Sequence, residues 1–320
     1  MAPSYRDALP QLSEDRVFLT DGGLETTLIF HRGLELPCFA AFDLVKDDAG
    51  MEVLRDYFRP YLEVARQRGA AFVLDTATWR ANPDWGAELG YSPEELDHAN
   101  RRAAALAEEI RDAEGGGCGP VVIEGVVGPQ GDGYSPTRLM SADEAEEYHG
   151  RQIRVFSETA ADMVAAITMT YPDEAIGIAR AATAAGMPAA ISFTVETDGR
   201  LPSGHTLGEA IEQVDAETGG SAAYFMVNCA HPTHFAGVLA DGGRWRERVR
   251  AIRANASRMS HAELDEADEL DAGDPVELGA QYRALRPYLP NANVFGGCCG
   301  TDQRHVAEVC AAWLDRPARG

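Results

Sequence analysis

Short apolar runs alternate with longer amphipathic stretches along the whole chain, and the two differ in period. A short apolar run bounded by turn residues fits a strand buried on both faces. A longer stretch with apolar positions three and four apart fits a helix with one buried face. Read this way, strands are predicted at Val17–Thr20, Phe72–Asp75, Val121–Gly125, Met163–Ile167, Ala189–Phe193, Tyr224–Asn228, Ile252–Asn255 and Asn293–Gly297. Helices are predicted at Met51–Arg68, Pro93–Ala113, Ala142–Ala160, Asp173–Ala185, Leu207–Thr218, Pro232–Ala240, Pro275–Tyr288 and Asp302–Leu314. A strand followed by a helix, repeated in this way, predicts a (β/α)₈ TIM barrel. No Pro/Gly/Ser-rich linker divides residues 1–320, so one domain is expected. A doubly wound open sheet is the rival architecture, but no G-x-G-x-x-G pattern opens the first βα turn.

In a barrel of this kind the chemistry sits on the loops at the C-terminal ends of the strands. The polar and glycine-rich motifs fall there: Asp21-Gly22-Gly23 after the first strand, Thr76-Ala77-Thr78-Trp79 after the second, Gly128-Pro129 after the third, Asn228-Cys229 at the sixth, Asn255 at the seventh and Gly296-Gly297-Cys298-Cys299-Gly300 at the eighth. Asp21 is the carboxylate expected to bind substrate, because two glycines behind it open the backbone to a ligand; a turn or helix cap is the alternative. Thr76, Asn228 and Asn255 join Gly22 and Gly23 as candidate substrate contacts, with a structural hydrogen bond an equal alternative for Asn228.

Charge narrows the partners. With 51 acidic against 28 basic residues the formal net charge is −23, which argues against a nucleic-acid or anionic-membrane surface, since both need a basic patch. No long apolar run and no N-terminal apolar segment occurs, so a soluble, cytoplasmic protein is expected. Six cysteines are too sparse for a disulfide scaffold, and a reducing compartment keeps thiols available.

Three of those thiols carry the candidate chemistry. Adjacent cysteines such as Cys298 and Cys299 do not readily bridge each other, because a disulfide needs Cα atoms about 4.4–6.8 Å apart and neighbours lie about 3.8 Å apart. They suit metal ligation better, and glycines on both sides let the backbone bend so that both side chains reach one point. With Cys229 they suggest a zinc ion held by three thiolates, its fourth position open to substrate. The alternative is that all three are small buried core residues. The barrel favours zinc, since strands six and eight both flank strand seven.

Taken together, these motifs resemble the zinc-dependent homocysteine S-methyltransferases. The resemblance runs along nearly the whole chain, on Asp21-Gly22-Gly23 with Thr26 and Leu28, Arg32-Gly33, Thr76-Ala77-Thr78-Trp79, Gly125 with Gly128-Pro129, Ile191-Ser192-Phe193-Thr194, Ser203-Gly204, Asn228-Cys229 and Gly296-Gly297-Cys298-Cys299. It implies a (β/α)₈ barrel, zinc on Cys229, Cys298 and Cys299, and methyl transfer from a cationic donor of the S-methylmethionine, S-adenosylmethionine or betaine type to a small thiol, homocysteine by default. A cationic donor suits aromatic faces, with Trp79, Phe193 and Tyr224 as candidates. Many members carry a glutamate at the end of the fourth strand that helps bind the homocysteine amino group. Here that position is Ile167, so either another acid compensates, with Asp21, Glu124 and Glu25 as candidates, or the acceptor is a different sulfur or selenium compound. Loss of turnover with retention of the metal, as a thiol-binding barrel, is the third possibility. His231 and His205 are expected to be exposed loop residues rather than participants.

Overall fold

A computed structural model of the protein describes residues 2–134, 138–267 and 269–315. Eight parallel strands close into a barrel in sequence order, β1 Phe18–Leu19, β2 Ala71–Asp75, β3 Val121–Val127, β4 Met163–Met169, β5 Ala189–Phe193, β6 Tyr224–Asn228, β7 Val249–Ala254 and β8 Val294–Gly297, with β8 pairing back onto β1. The helices that follow them are α1 Asp48–Arg68, α2 Pro93–Glu114, α3 Ala142–Ser157, α4 Pro172–Ala184, α5 Leu207–Thr218, α6 Pro232–Asp241, α7 Pro275–Leu285 and α8 Gln303–Leu314. Short helical turns at Pro10–Ser13, Leu24–Thr26, Pro83–Glu88 and His261–Asp265 decorate the two ends.

The core has two shells, as alternation along each strand requires. One set of strand residues packs outward against the helices, for example Leu19, Phe72, Leu74, Ile123, Val164, Ile191, Phe225, Val227 and Ile252. The other fills the barrel interior with Phe18, Ala71, Val73, Val122, Met163, Ala165, Ala190, Met226, Ala251 and Val294. Leu9 of the N-terminal segment joins the interior set from below. Continuing the two-residue period towards the strand C-termini brings Asp75, Glu124, Arg253, Ser192 and Asn228 inward, all buried. The upper barrel is therefore polar where the lower barrel is apolar, and this gradient sets where the site lies.

Several strand bounds need correction. β1 is shorter than the expected Val17–Thr20, β3 and β4 run on to Val127 and Met169, and β7 begins at Val249 rather than Ile252. Arg250 had cut off the start of the apolar run of β7, and Arg253 lies inside it. The structure accommodates both, since Arg250 donates to the carbonyl of Gln11 and Arg253 points into the acidic upper barrel.

Candidate active site

Cys229 lies one residue beyond β6, and Cys298 and Cys299 directly follow β8, so β7 alone separates them. The ligand atoms of these three residues all lie within 4.8 Å of one another, the one such cluster of three potential metal ligands among the described residues. The Cα atoms of Cys229 and Cys298 are 5.3 Å apart and their sulfurs are in bonding contact. Cys229 adopts a left-handed backbone, φ +52°, which a non-glycine residue takes only where its surroundings over-determine it. Those surroundings are three donors to its carbonyl: His261 Nε2 at 2.7 Å, Asn255 Nδ2 at 3.0 Å and Thr194 Oγ1 at 3.5 Å. On the other side Cys298 N donates to the carbonyl of Ala254 at 2.9 Å and Thr301 Oγ1 to that of Cys298 at 2.7 Å. Both thiol-bearing turns are fixed before any ligand arrives.

The cysteines form one wall of a cleft of about 640 Å³, part of it open to solvent. Asp21, Gly22, Gly23, Glu25, Asp75, Thr76, Trp79, Tyr134, Ile167 and Arg253 are among the other residues lining it. The glycine pair is required by close packing: a Cβ on Gly22 would meet the Thr301 carbonyl at 2.6 Å, and one on Gly23 the Cys298 carbonyl at 2.7 Å. Any side chain there would push the first loop off the cysteine loop. Trp79 is held by Nε1 donating to the Ile167 carbonyl at 3.1 Å, with the Arg80 guanidinium 4.4 Å from its ring centroid. Tyr134 packs against the His261 ring at 4.3 Å and brings its hydroxyl to 3.9 Å from Cys299 Sγ.

A buried ionic cluster not expected from the sequence reaches the cleft lining through Asp21, Asp75 and Arg253. Arg253 donates to Asp21 Oδ1 and to Asp75 Oδ2, each at 2.5 Å, and stands 4.0 Å from Glu124. Tyr57 on α1 donates to the other oxygen of Asp21 at 2.9 Å. Burial, then the neighbouring Asp75 charge, pushes the Asp21 carboxyl above the usual range, with Arg253 pulling it down. Burial works to lower the Arg253 guanidinium, but the three carboxylates outweigh it.

The predicted residues divide accordingly. Asp21, Gly22, Gly23 and Thr76 line the cleft with the three cysteines; Asn228 and Asn255 do not. Asn255 holds the Cys229 carbonyl, as above. Asn228 is wholly buried: its Oδ1 accepts from Thr168 N at 3.0 Å and Ser192 Oγ at 2.6 Å, and its Nδ2 donates to Thr168 Oγ1 at 2.8 Å. It pins the tip of β4, where the register shifts and Thr168 takes φ +70°, a strained conformation for a β-branched residue. Asn228→Ala is expected to destabilise the protein by about 2–4 kcal/mol through the buried groups it leaves unpaired, as measured by urea unfolding. Of the aromatic candidates only Trp79 lines the cleft; Phe193 stacks on Phe225 and Tyr224 faces Met163 in the lower barrel. His231 is buried rather than exposed because it caps α6, its Nδ1 accepting from Thr233 N.

The sequence profile of the homocysteine S-methyltransferase family matches residues 18–313. The chain belongs to the homocysteine S-methyltransferase family. Its relatives include homocysteine S-methyltransferase 1 of Brassica oleracea var. italica, 24% identical over 313 residues covering 91% of each chain. Selenocysteine Se-methyltransferase of the same plant is 24% identical over 91% of this chain and 87% of its own. In three dimensions the oxidised form of the Escherichia coli homocysteine methyltransferase MmuM superposes with a TM-score of 0.73 at 21% identity, covering 93% of this chain and 96% of that one.

The chemistry of the cysteine cluster fits a metal. Three thiols within one coordination sphere form a soft donor set with room for a fourth ligand. Burial pushes the Cys299 thiol up to about 11, with the Tyr134 hydroxyl pulling the other way; a cation bound among the sulfurs would ionise it. Metal binding and a Cys229–Cys298 disulfide exclude each other, since both use the same sulfurs.

Glu25 gives the cleft a pH dependence. Burial pushes its carboxyl up to about 7, above the roughly 4.3 expected of an unfolded chain. The folded state thus holds this proton more tightly, so the contribution to stability is present at low pH and lost as pH rises through about 7. Between about pH 4.5 and pH 7.5, wild type is expected to lose about 1–2 kcal/mol more than Glu25→Gln, allowing for partial solvent screening. Paired urea titrations at the two pH values measure it.

Proposed function

We propose that the protein is a zinc-dependent methyltransferase that moves a methyl group from a cationic sulfonium or quaternary ammonium donor to the thiol of homocysteine, giving methionine, in a reducing compartment such as the cytoplasm. The observation that carries this reading is the convergence of Cys229, Cys298 and Cys299 on one wall of a cleft whose other walls are aromatic and acidic. Zinc held by these three residues would supply the positive charge that keeps an acceptor sulfur ionised near neutral pH.

The chain's own groups do the rest. The acceptor sulfur, having lost its proton, donates a lone pair to the methyl carbon; the carbon–sulfur or carbon–nitrogen bond of the donor breaks, and its electrons neutralise the donor's charge. Trp79 and Tyr134 present aromatic surface to that cation, and Glu25 adds a carboxylate on the same cleft. As charge disappears during transfer, these groups chiefly bind and orient the donor, bringing sulfur and methyl into line. Asp21, Gly22, Gly23 and Thr76 are assigned to the acceptor side.

The test is methionine formation by zinc-loaded, reduced protein given homocysteine with S-methylmethionine, S-adenosylmethionine or betaine in turn. Methionine from at least one donor is expected; none from a folded, zinc-containing sample overturns the homocysteine reading. The selenocysteine-methylating relative favours a second reading, a selenium acceptor, and selenocysteine in the same assay distinguishes the two.

A further inference from the structure

The upper barrel gathers more carboxyl groups than its own cation can pair. Asp21, Asp75 and Glu124 surround the single guanidinium of Arg253, and the sole lysine, Lys46, pairs with Asp43 on the exterior. The Asp21 oxygens are both taken, by Arg253 and Tyr57. Glu124 does not line the cleft. Asp75 differs from both. Its Oδ2 accepts from Arg253, but its Oδ1 is buried with no hydrogen-bond partner among the described residues, in a residue more than nine-tenths buried that does line the cleft. A buried carboxylate oxygen without a donor is costly and calls for a partner. At the tip of β4, Ile167 offers no charge, and its carbonyl is already taken by Trp79.

We propose that Asp75 is the specificity-determining residue that anchors the α-ammonium of the acceptor thiol. This rests on the homocysteine reading above. A primary ammonium supplies the donor that Oδ1 lacks and the positive charge the cluster lacks, and forms a charge-assisted hydrogen bond. Arg253 positions the carboxylate by fixing Oδ2, which leaves Oδ1 as the oxygen that accepts from the ligand. The amine anchor thus stands at the tip of β2, and the missing charge at Ile167 is made good from a different strand. Glu25, on the first βα loop, faces the donor.

The experiment compares homocysteine with 4-mercaptobutyrate, which keeps the thiol and carboxylate but lacks the amine. Binding of each to zinc-loaded, reduced protein is measured by calorimetry, and KM for each with the best donor. Wild type is expected to prefer homocysteine by about 10–100-fold, and Asp75→Asn to lose that preference by weakening homocysteine alone. Asp75→Glu, which restores the charge, is expected to recover part of it, and Glu25→Gln to retain it. Circular dichroism confirms folding of each variant. Retained preference in folded Asp75→Asn overturns the assignment, as does its loss in Glu25→Gln instead. Wild type that binds the two thiols with the expected preference yet methylates neither would sink the proposed reaction and leave the Asp75 anchor standing.

Discussion

A Cys298→Ser variant is expected to fold, to bind zinc poorly and to lose methyl transfer by more than the roughly 10–100-fold that follows removal of a group merely supporting a metal ligand. The expectation of folding follows from position. Cys298 is partly exposed at the rim of the barrel, and the hydrogen bonds that shape its turn come from the backbone and from Thr301, not from its sulfur. Serine keeps that backbone and offers a hard, protonated oxygen in place of a soft thiolate, which zinc binds far less well. Metal content by elemental analysis, circular dichroism and initial rates would be measured on the same sample. Wild-type turnover in a variant that holds no metal would remove the basis of the mechanism.

How much of this was visible beforehand depends on which interactions are local. The strand–helix alternation is written in the sequence because burial of each strand on both faces produces continuous apolar runs, and so the barrel and the loops bearing Cys229, Cys298 and Cys299 followed from it. Gly22 and Gly23 were legible as a backbone that something approaches closely, although what approaches is the cysteine loop and not a ligand; Asp21 was placed on the cleft, but its engagement by Arg253 and Tyr57 was not visible. Asn228 and Asn255 were placed at the correct strand ends; for Asn228 the structural hydrogen bond was the stated alternative, while the hold of Asn255 on the Cys229 carbonyl was not foreseen. Whether an amide side chain faces a cleft or a neighbouring strand depends on partners such as Thr168 and Ser192, which lie 60 and 36 residues away. The ionic cluster was hidden for the same reason, with 232 residues between Arg253 and Asp21 and 178 between Arg253 and Asp75. A signal was present in part: within a strand buried on both faces, an arginine at an inward position requires carboxylates opposite it. Given β7 in its observed register, Asp75 and Glu124 at inward positions of β2 and β3 are the natural partners.

That cluster carries the second large expectation. Arg253→Met fills much the same space without the charge and leaves Asp21, Asp75 and Glu124 facing one another in the buried upper barrel. Removing one partner of a buried ion pair costs about 3–5 kcal/mol, because the remaining charge is uncompensated. Here the carboxylates can escape part of that cost by taking up protons, so the deficit depends on pH. Their folded-state affinity for protons is already raised by burial, and loss of the guanidinium raises it further. The unfolded chain releases these protons near pH 4. Between there and the raised folded values the native state binds more protons than the unfolded state, so stability falls with rising pH. The variant is therefore expected to approach wild-type stability near pH 5 and to fall furthest below it near pH 8, as measured by urea unfolding at both. Adding Asp21→Asn should recover part of the loss at pH 8 and little at pH 5, since it removes one of the charges that cannot be accommodated. Equal stability of Arg253→Met and wild type at pH 8 would mean that the carboxylates are already neutral in the native protein. The unpaired oxygen of Asp75 would then present no charge to an ammonium, and the acidity of the upper barrel, from which its preference for an amino-bearing thiol derives, would not exist at the pH of catalysis.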